Sequence, residues 1–207
     1  MDTLEINLDG YTDLPAGKIA NVVTYLEMTA PPARLDGAEG RTDLALRRVP
    51  DVDVAWFRKT IRAVGEAWLW FSPLVMPEAE LAAILADPGM AFHALERAGE
   101  TVGIVQLDRR TAGEVEIAFF GVVPSETGTG AGRFLMARTL ELAFRPGVRR
   151  VWLHTCTFDH PAAVPFYLRC GFVPYKLAIE VTDDPRLTGH IPRSAGRHVA
   201  LIDPARA

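Results

Sequence analysis

The sequence predicts a mixed α/β fold in which helices flank a single, mainly antiparallel sheet. Three observations support this prediction. Apolar residues recur at helical spacing after residue 53, three strand-like segments joined by short turns occupy residues 90–123, and helix-like and strand-like segments alternate beyond them. Because short turns between consecutive strands favour antiparallel hairpins, the strands are expected to form one layer covered by helices.

The N-terminal part of the chain supplies a lead-in, a strand and a loop. Residues 1–18 have no regular pattern and are predicted to be a loosely defined lead-in. The segment 20–28, ANVVTYLEM, is β-branched and apolar, so it is predicted to be the first strand. The next segment, 29–43, is rich in Pro, Gly and Asp, which favours a loop.

Two helices are predicted next. Asp53 is a suitable cap for the first, in which apolar residues recur at steps of three and four from Val54 to Trp68. The stretch SPLVMP at 72–77 interrupts this pattern. The second helix is predicted over 77–87, and it starts with a proline, which the first helical turn tolerates because an N–H there has no intrahelical partner.

Three consecutive strands are predicted at 90–97, 101–108 and 115–123. The segments that link them, ERAGE and RRTAGE, carry turn-forming residues. Two antiparallel hairpins are therefore expected in this part of the chain.

The remaining elements complete the predicted order. A helix at 133–144 is followed by a strand at 151–158 and by a short helix that ends at Gly171. The segments 178–181 and 198–202 are predicted to be late strands. The full predicted order is β-α-α-β-β-β-α-β-α-β-β.

The composition indicates a single globular domain over residues 1–207. A net charge of -4 argues against nucleic-acid and anionic-membrane binding, since both rely on basic patches. No apolar run is long enough to span a bilayer, and acidic residues stand where a signal peptide carries basic ones. Cys156 and Cys170 form no CxxC pair, so we expect a reducing, cytoplasmic setting. The histidines are scattered without the spacing of metal ligands, so we expect no metal site.

A glycine-rich loop stands between the third predicted hairpin strand and the helix that follows it. Its glycines, Gly128, Gly130 and Gly132, let the backbone approach a ligand closely, and a helix N-terminus adds partial positive charge. Arg133 can pair with a phosphate oxygen. No Gly-Lys-Ser/Thr follows, and the spacing differs from a dinucleotide fingerprint. From these residues alone, a structural turn and a phosphate site are about equally good interpretations.

A second motif, HPAAVPFYLRCGF from His160 to Phe172, helps to interpret the glycine loop. Together the two segments resemble the GNAT superfamily of acyl-CoA N-acetyltransferases. The family loop, Gln/Arg-x-x-Gly-x-Gly/Ala, corresponds to the segment from Thr127 to Gly132. The family's later motif, Asn-x-x-Ala-x-x-Leu/Phe-Tyr-x-x-x-Gly-Phe, corresponds to the second segment. The chain departs from the family at Thr127, in place of Arg or Gln, and at His160, in place of Asn.

The resemblance implies an enzyme that passes the acetyl group of acetyl-CoA directly to a primary amine. It places the pyrophosphate of the cofactor on the glycine loop and the pantetheine arm beside residues 120–123. The cofactor contacts that it implies are Phe120, Val122, Val123, Thr127, Gly128, Thr129, Gly130, Ala131, Gly132, Arg133 and His160.

The resemblance also suggests catalytic residues. Glu116 is predicted to be the general base, acting through water, and a solvated strand carboxylate is the alternative interpretation. Tyr167 is predicted to protonate the sulfur of coenzyme A, with simple aromatic packing as the alternative. His154 is a second candidate base, and a backbone N–H near Phe120 is a candidate oxyanion donor.

For other residues, we predict roles in the structure of the strand and loop or in the lining of a pocket. Gly121 is expected at a bulge or a splayed position of its strand, and Glu126 is expected to point to solvent, since a carboxylate would repel phosphate. Trp70 and Phe71 are candidates for lining an acceptor pocket, as are Tyr25 and Glu27.

Two other functional classes stay open at this point. One is a non-catalytic acyl-CoA-binding or sensing domain, and the other is a nucleotide-phosphate binder unrelated to coenzyme A. The expected partner is a small-molecule or peptide amine, with no nucleic acid and no membrane. Because late strands in the GNAT family often help to form dimers, a homodimer is a further expectation.

Overall fold

The computed structural model describes residues 3–33 and 41–206, except for the side chain of Arg206. The strands are β1 (Lys18–Met28), β2 (Leu44–Val49), β3 (Met90–Arg97), β4 (Glu100–Asp108), β5 (Glu114–Val122), β6 (Arg150–Cys156) and β7 (Val173–Asp183). The helices are α1 (Val54–Gly65), α2 (Ser72–Val75), α3 (Glu78–Leu85), α4 (Ala131–Ala143) and α5 (Ala163–Arg169). Short 3-10 turns occur at Glu66–Trp68, Pro124–Glu126 and Pro204–Arg206.

All seven strands form one sheet in the order β2-β3-β4-β5-β6-β1-β7. Every neighbouring pair is antiparallel except β5 and β6, which are parallel. The predicted fold class, a mixed and mainly antiparallel sheet flanked by helices, is therefore confirmed. The two hairpins predicted over residues 90–123 are also confirmed.

The structure gives the position of the first strand in the sheet, which sequence analysis did not predict. β1 is inserted between β6 and β7, so Val23 is next to Cys156 on one side and next to Ala178 on the other. The edge beside β3 is filled by β2, which sequence analysis missed because LALRRV lacks regular apolar alternation. Pairing with β3 makes this segment a strand, and Arg47 crosses to Glu96 at 2.8 Å.

The predicted strand at 198–202 is wrong. Its backbone groups are used locally, since the N–H of Val199 donates to the carbonyl of Gly196 at 2.8 Å. The buried guanidinium of Arg186 donates to the carbonyls of Val199 and Ala200 at 2.8 and 3.2 Å. Carbonyls held in this way do not form a strand ladder. The predicted loop at 29–43 falls partly on residues 34–40, outside the described part of the chain.

Helices cover both faces of the sheet because each carries an apolar stripe. Asp53 caps α1 by accepting a hydrogen bond from the N–H of Trp56 at 2.8 Å, as predicted. Phe57 and Ile61 on α1 then pack in one buried cluster with Ile104 of β4. The other face holds α4 and α5, and a second buried cluster includes Leu135. None of the described helices is long and apolar enough to cross a membrane.

Helix formation near residue 72 differs in detail from the prediction. The stretch expected to interrupt the helices forms one helical turn, α2, with a proline in its first turn. The helix predicted over 77–87 is α3, which is confined to Glu78–Leu85. These short elements bring Trp70 and Phe71 to the end of the sheet where β5 and β6 separate.

The parallel strands β5 and β6 pair over only three positions and then separate. Their register ends where Glu116 lies beside Trp152, so the edge of β5 beyond Glu116 has no strand partner on the β6 side. A bulge on β5 at Ala118, opposite the step from Gln106 to Leu107 of β4, accompanies this separation. The split leaves strand backbone available to an extended ligand between β5 and β6.

The bulge lies at Ala118, whereas Gly121 lies in the part of β5 that has separated from β6, the second of the two positions expected for it. Gly121 also has a packing role. A Cβ at this position would lie 2.7 Å from Val64 of α1 and 2.9 Å from Trp70. Glycine therefore allows the helix layer to approach the β5 strand closely.

Candidate active site

The glycine loop presents a row of unpaired amides at the N-terminus of α4. Gly128 and Gly130 adopt φ values of +80° and +90°, a region that glycine enters without strain. Among the described residues, the backbone N–H groups of Gly128, Gly130, Gly132 and Arg133 have no hydrogen-bond partner. Four amides with this arrangement form an anion-binding surface, which the helix dipole reinforces.

An ion-pair network holds the loop from behind. Glu126 is only 7% exposed, and its carboxylate receives two hydrogen bonds from Arg97 of β3, at 2.7 and 2.9 Å. Arg97 also contacts Asp43, and Arg41 donates to the carbonyl of Thr129 at 2.8 Å. The expectation that Glu126 points to solvent is therefore wrong. Its charge is neutralised by Arg97, whose hydrogen bonds hold the pKa of Glu126 below its ordinary value.

Thr129 belongs to the support of the loop. Its hydroxyl donates toward Glu126 and accepts the N–H of Ala131 at 3.3 Å. Thr129 and Ala131 do not line the cavity in front of the loop, and neither does Val123. The other predicted cofactor contacts do line it, namely Phe120, Val122, Thr127, Gly128, Gly130, Gly132, Arg133 and His160.

A single continuous cavity of about 920 Å³ runs from the glycine loop through the split between β5 and β6. At the loop end it is lined by two cationic side chains, Arg133 and Arg169. At the opposite end it reaches across β6 and β1 to Glu180 of β7. The cavity therefore joins a region suited to anions with a region that carries carboxylates.

The predicted acid, Tyr167, lies in the wall of this cavity. Its side chain is 8% exposed and packs edge-on against Phe120 and Phe166, with ring centroids 6.1 and 5.4 Å away. Burial raises the pKa of Tyr167 well above its ordinary value, so its hydroxyl keeps its proton at neutral pH. No described residue hydrogen-bonds this hydroxyl, which leaves it free to donate to a ligand.

The predicted base, Glu116, lies at the point where β5 and β6 separate. The Nδ1 atom of His154 on β6 is 3.4 Å from the Oε1 atom of Glu116. The hydrogen bond to Glu116 outweighs desolvation and raises the pKa of His154 above its ordinary value. Sequence analysis treated the two residues as alternatives, whereas the structure places them side by side in the cavity wall.

Residues 58–172, more than half of the chain, match the family model described as the acetyltransferase (GNAT) family. The chain belongs to the GNAT acetyltransferase family. The resemblance noted from the two sequence motifs is confirmed by this match. No curated protein is similar enough in sequence to count as a match.

Solved structures of GCN5-related N-acetyltransferases share the fold. One from Sphaerobacter thermophilus has a TM-score of 0.55 and 19% identity, covering 79% of this chain and 52% of that chain. One from Kribbella flavida has a TM-score of 0.54 and 20% identity, covering 84% and 63%. A chimeric spermidine N-acetyltransferase with Vibrio cholerae sequence has a TM-score of 0.51 and 22% identity, covering 65% and 83%. The chain thus spans only about half to two thirds of the two GCN5-related proteins.

Within the GNAT framework, Asp159 is a cavity residue that sequence analysis did not single out. Its carboxylate accepts hydrogen bonds from the indole Nε1 of Trp70 at 2.7 Å, from the hydroxyl of Thr155 at 2.7 Å and from the N–H of Cys156 at 2.9 Å. All three donors are neutral, and the charge of Asp159 raises the pKa of His154 through space, without a hydrogen bond between them. The only sequence signal was its place directly before His160.

Aromatic residues line the part of the cavity beyond the glycine loop. Trp70, Phe71 and Tyr25 belong to this lining, as predicted for the first two from the helix break and for the third from its strand, whereas Glu27 does not line the cavity and accepts a hydrogen bond from Arg150 at 2.6 Å. His160 accepts the N–H of Ala162 at 3.0 Å through Nδ1, and its ring lies 4.8 Å from that of Trp68. The histidine therefore organises the turn before α5.

Nucleophilic catalysis by a cysteine and catalysis by a metal ion have little support in the site. Cys156 lines the cavity, but burial raises the pKa of its thiol to about 11, which disfavours the nucleophilic thiolate. Within residues 3–33 and 41–206, no group of three or more His, Cys, Asp or Glu side chains is placed to hold a metal ion.

Proposed function

We propose that this GNAT family member is an acetyl-CoA-dependent N-acetyltransferase that acts directly on the primary amine of a small cationic molecule or peptide. The observation that carries the proposal is the single cavity that connects the unpaired loop amides with Glu116 and Tyr167. An anionic cofactor fits the amide-rich, arginine-lined end. A positively charged amine fits the end that carries carboxylates with no hydrogen-bonded cation.

The residues present fit acetyl-CoA, which would supply the activated acetyl thioester. The unpaired amides from Gly128 to Arg133 would bind the diphosphate, with Arg133 and Arg169 as cationic neighbours. The unpaired edge of β5 would hold the pantetheine arm by strand-like hydrogen bonds. A backbone N–H near Phe120 would then be available to stabilise charge on the carbonyl oxygen.

Glu116 and His154 would handle the proton that the amine must lose. An alkylammonium with a pKa of about 10 is mostly protonated at neutral pH and cannot attack a carbonyl carbon. Glu116 would accept this proton through water, and the half-exposed His154 would pass it to solvent. As the new C–N bond forms and the C–S bond breaks, Tyr167 would donate its proton to the leaving sulfur, and the second proton that the nitrogen loses on becoming an amide would return through water to Tyr167.

Acetyl-CoA binding at the loop is the first test. We expect calorimetric titration to show binding of acetyl-CoA and no comparable binding of ATP or NAD. Gly128→Ala should abolish this binding because the new Cβ stands in the row of amides. Gly147→Ala is the matched control, since Gly147 has a similar φ of +92° and, like Gly128, open space around it. If both variants bind acetyl-CoA equally well, the loop is not the cofactor site.

Turnover is the second test. Release of free coenzyme A should depend on an added amine in a panel of diamines, aminoglycosides and peptides. Binding of acetyl-CoA without amine-dependent release would support the acyl-CoA-binding or sensing alternative. A single domain and a homodimer remain proposals for this chain, and sedimentation analysis of the purified protein tests the second of them.

A further inference from the structure

We propose that the acceptor end of the cavity contains a second recognition site, formed by Asn21 of β1 and Glu180 of β7, for a distal ammonium group. This inference rests on the proposed function and narrows the acceptor to amines that carry a second cationic group. It assigns β1 and β7, which contribute nothing to the glycine loop, to substrate selection.

Asn21 is the buried half of this site. Its side chain is 3% exposed, lines the cavity and donates from Nδ2 to Oε2 of Glu180 at 2.8 Å. Its Oδ1 atom is buried without a hydrogen-bond partner among the described residues. Buried carbonyl oxygens are nearly always satisfied, so an unpaired one in a cavity wall indicates a donor supplied by a ligand. An ammonium group, which has three N–H donors, meets this requirement.

Glu180 is the charged half of the site. Among the described residues its exposed carboxylate is hydrogen-bonded only to the neutral Asn21, and its charge raises the pKa of His154 through space. The nearest lysine along β7, Lys176, lies instead over the ring of Tyr25, 4.5 Å from its centroid. A carboxylate with no hydrogen-bonded cation, beside an unpaired carbonyl oxygen, attracts a cation and offers it directional acceptors.

The strand register gives the separation between this site and the reaction centre. Cys156 of β6, Val23 of β1 and Ala178 of β7 lie side by side, and Glu180 is two residues beyond Ala178 on the same face. Two strand spacings, roughly 10 Å, separate β7 from β6, and Glu180 lies about 7 Å further along the strands than Cys156, so its distance from the reaction centre exceeds 10 Å. A primary amine at the thioester and an ammonium at Glu180 fit a long, flexible diamine better than a short one.

The test compares ligands that differ by one ammonium group. Diaminoheptane and heptylamine share a chain length, whereas diaminopropane is too short to reach Glu180. Binding is measured by calorimetry with coenzyme A present, so that no reaction occurs, and kcat/KM is measured separately with acetyl-CoA. In the wild type, we expect diaminoheptane to bind about tenfold more tightly than heptylamine, with no such difference between diaminopropane and propylamine.

Glu180→Gln should remove the advantage of diaminoheptane over heptylamine. Glu100→Gln, which makes the same exchange at an exposed strand end outside the cavity, should leave both affinities unchanged. Asn21→Leu should reduce the same preference, and its thermal midpoint shows whether it folds. An unchanged preference in Glu180→Gln overturns the second site, as does equal binding of the two seven-carbon amines by the wild type.

The two proposals fail in different ways. If amines are acetylated but Glu180→Gln keeps the diamine preference, the second site is wrong and the enzyme assignment stands. If no amine is acetylated but diaminoheptane binds tightly only when Glu180 is present, the site stands and the N-acetyltransferase proposal is wrong.

Discussion

The two ends of the cavity are built in different ways. The glycine-loop end, proposed to bind the cofactor, is built mainly from one continuous segment, residues 124–133, whose buried Glu126 is neutralised by Arg97, and Arg169 of α5 also lines it. The opposite end, proposed to bind the acceptor, is assembled from β1, β7 and residues in and after β6, and among the described residues the carboxylates of Asp159 and Glu180 have only neutral hydrogen-bond partners. In the proposed function, the protein preorganises the cofactor end, whereas the acceptor end keeps its charge available for a ligand.

Tyr167→Phe should have the largest effect on turnover with no effect on either end of the cavity. Loss of the proton donor should lower kcat by about 100-fold or more, because general acid catalysis contributes at least that much. The calorimetric Kd for acetyl-CoA should stay unchanged. Tyr175→Phe, at an exposed position on β7, is the control. A variant that loses acetyl-CoA binding would show that Tyr167 has only a packing role.

Glu116→Gln tests the interaction between Glu116 and His154, which lie between the two ends of the cavity. The Glu116 carboxylate raises the pKa of His154, so removing its charge should move the His154 titration to lower pH. Imidazole NMR signals followed against pH measure this shift, with the exposed His190 as the unaffected control. An unchanged His154 titration would mean that the two side chains do not interact in solution.

The same variant should lower kcat/KM most strongly at low pH, where fewer amines are deprotonated. Comparison with His154→Gln separates the two roles. If His154→Gln abolishes activity while Glu116→Gln retains most of it, then His154 is the base and Glu116 only orients it. Equal and large losses support Glu116 as the base with His154 as its proton outlet.

Arg133→Gln should weaken the cofactor end alone. Loss of a charge-assisted contact should raise the Kd for acetyl-CoA by about tenfold, and the dependence of binding on salt should decrease. The Kd for an amine should not change, because Arg133 lies at the opposite end of the cavity. Arg149→Gln, near Gly113 and outside the cavity, is the matched control. Equal effects on amine and cofactor binding would contradict the separation of the two ends.

Arg97→Gln should have the smallest effect of these variants, and the effect should appear in the dependence of the thermal midpoint on pH. Arg97 lowers the pKa of Glu126 from an ordinary 4.5, so the pair stabilises the fold above that pH and loses its contribution as pH falls through the lower folded value. The wild-type thermal midpoint should therefore fall in acid more steeply than that of the variant. Arg47→Gln, which breaks a pair with Glu96 at the sheet edge, should not reproduce this difference.

Sequence periodicity was sufficient to predict those elements whose stability depends on residues within the element and its adjoining turns. The α1 stripe, the cap at Asp53 and the hairpin strands follow from local spacing and turn chemistry, and the structure contains all of them. β2 could not be predicted in this way, because its residues form a strand only when β3 supplies the ladder partner. The strand predicted at 198–202 does not form, because Arg186 donates hydrogen bonds to carbonyl groups that a neighbouring strand would need.

By itself, the sequence determined the glycine loop, the α4 N-terminus behind it and the motif that carries Tyr167. These features are local, because the turn that the glycines permit and the helix that follows it depend mainly on neighbouring residues. The tertiary structure alone decided that β1 enters the sheet between β6 and β7, that Arg97 neutralises Glu126 and that Asn21 faces Glu180 across 159 positions of sequence. Contacts between distant strands depend on which edges remain free to pair after the core has formed, and no local pattern encodes that choice.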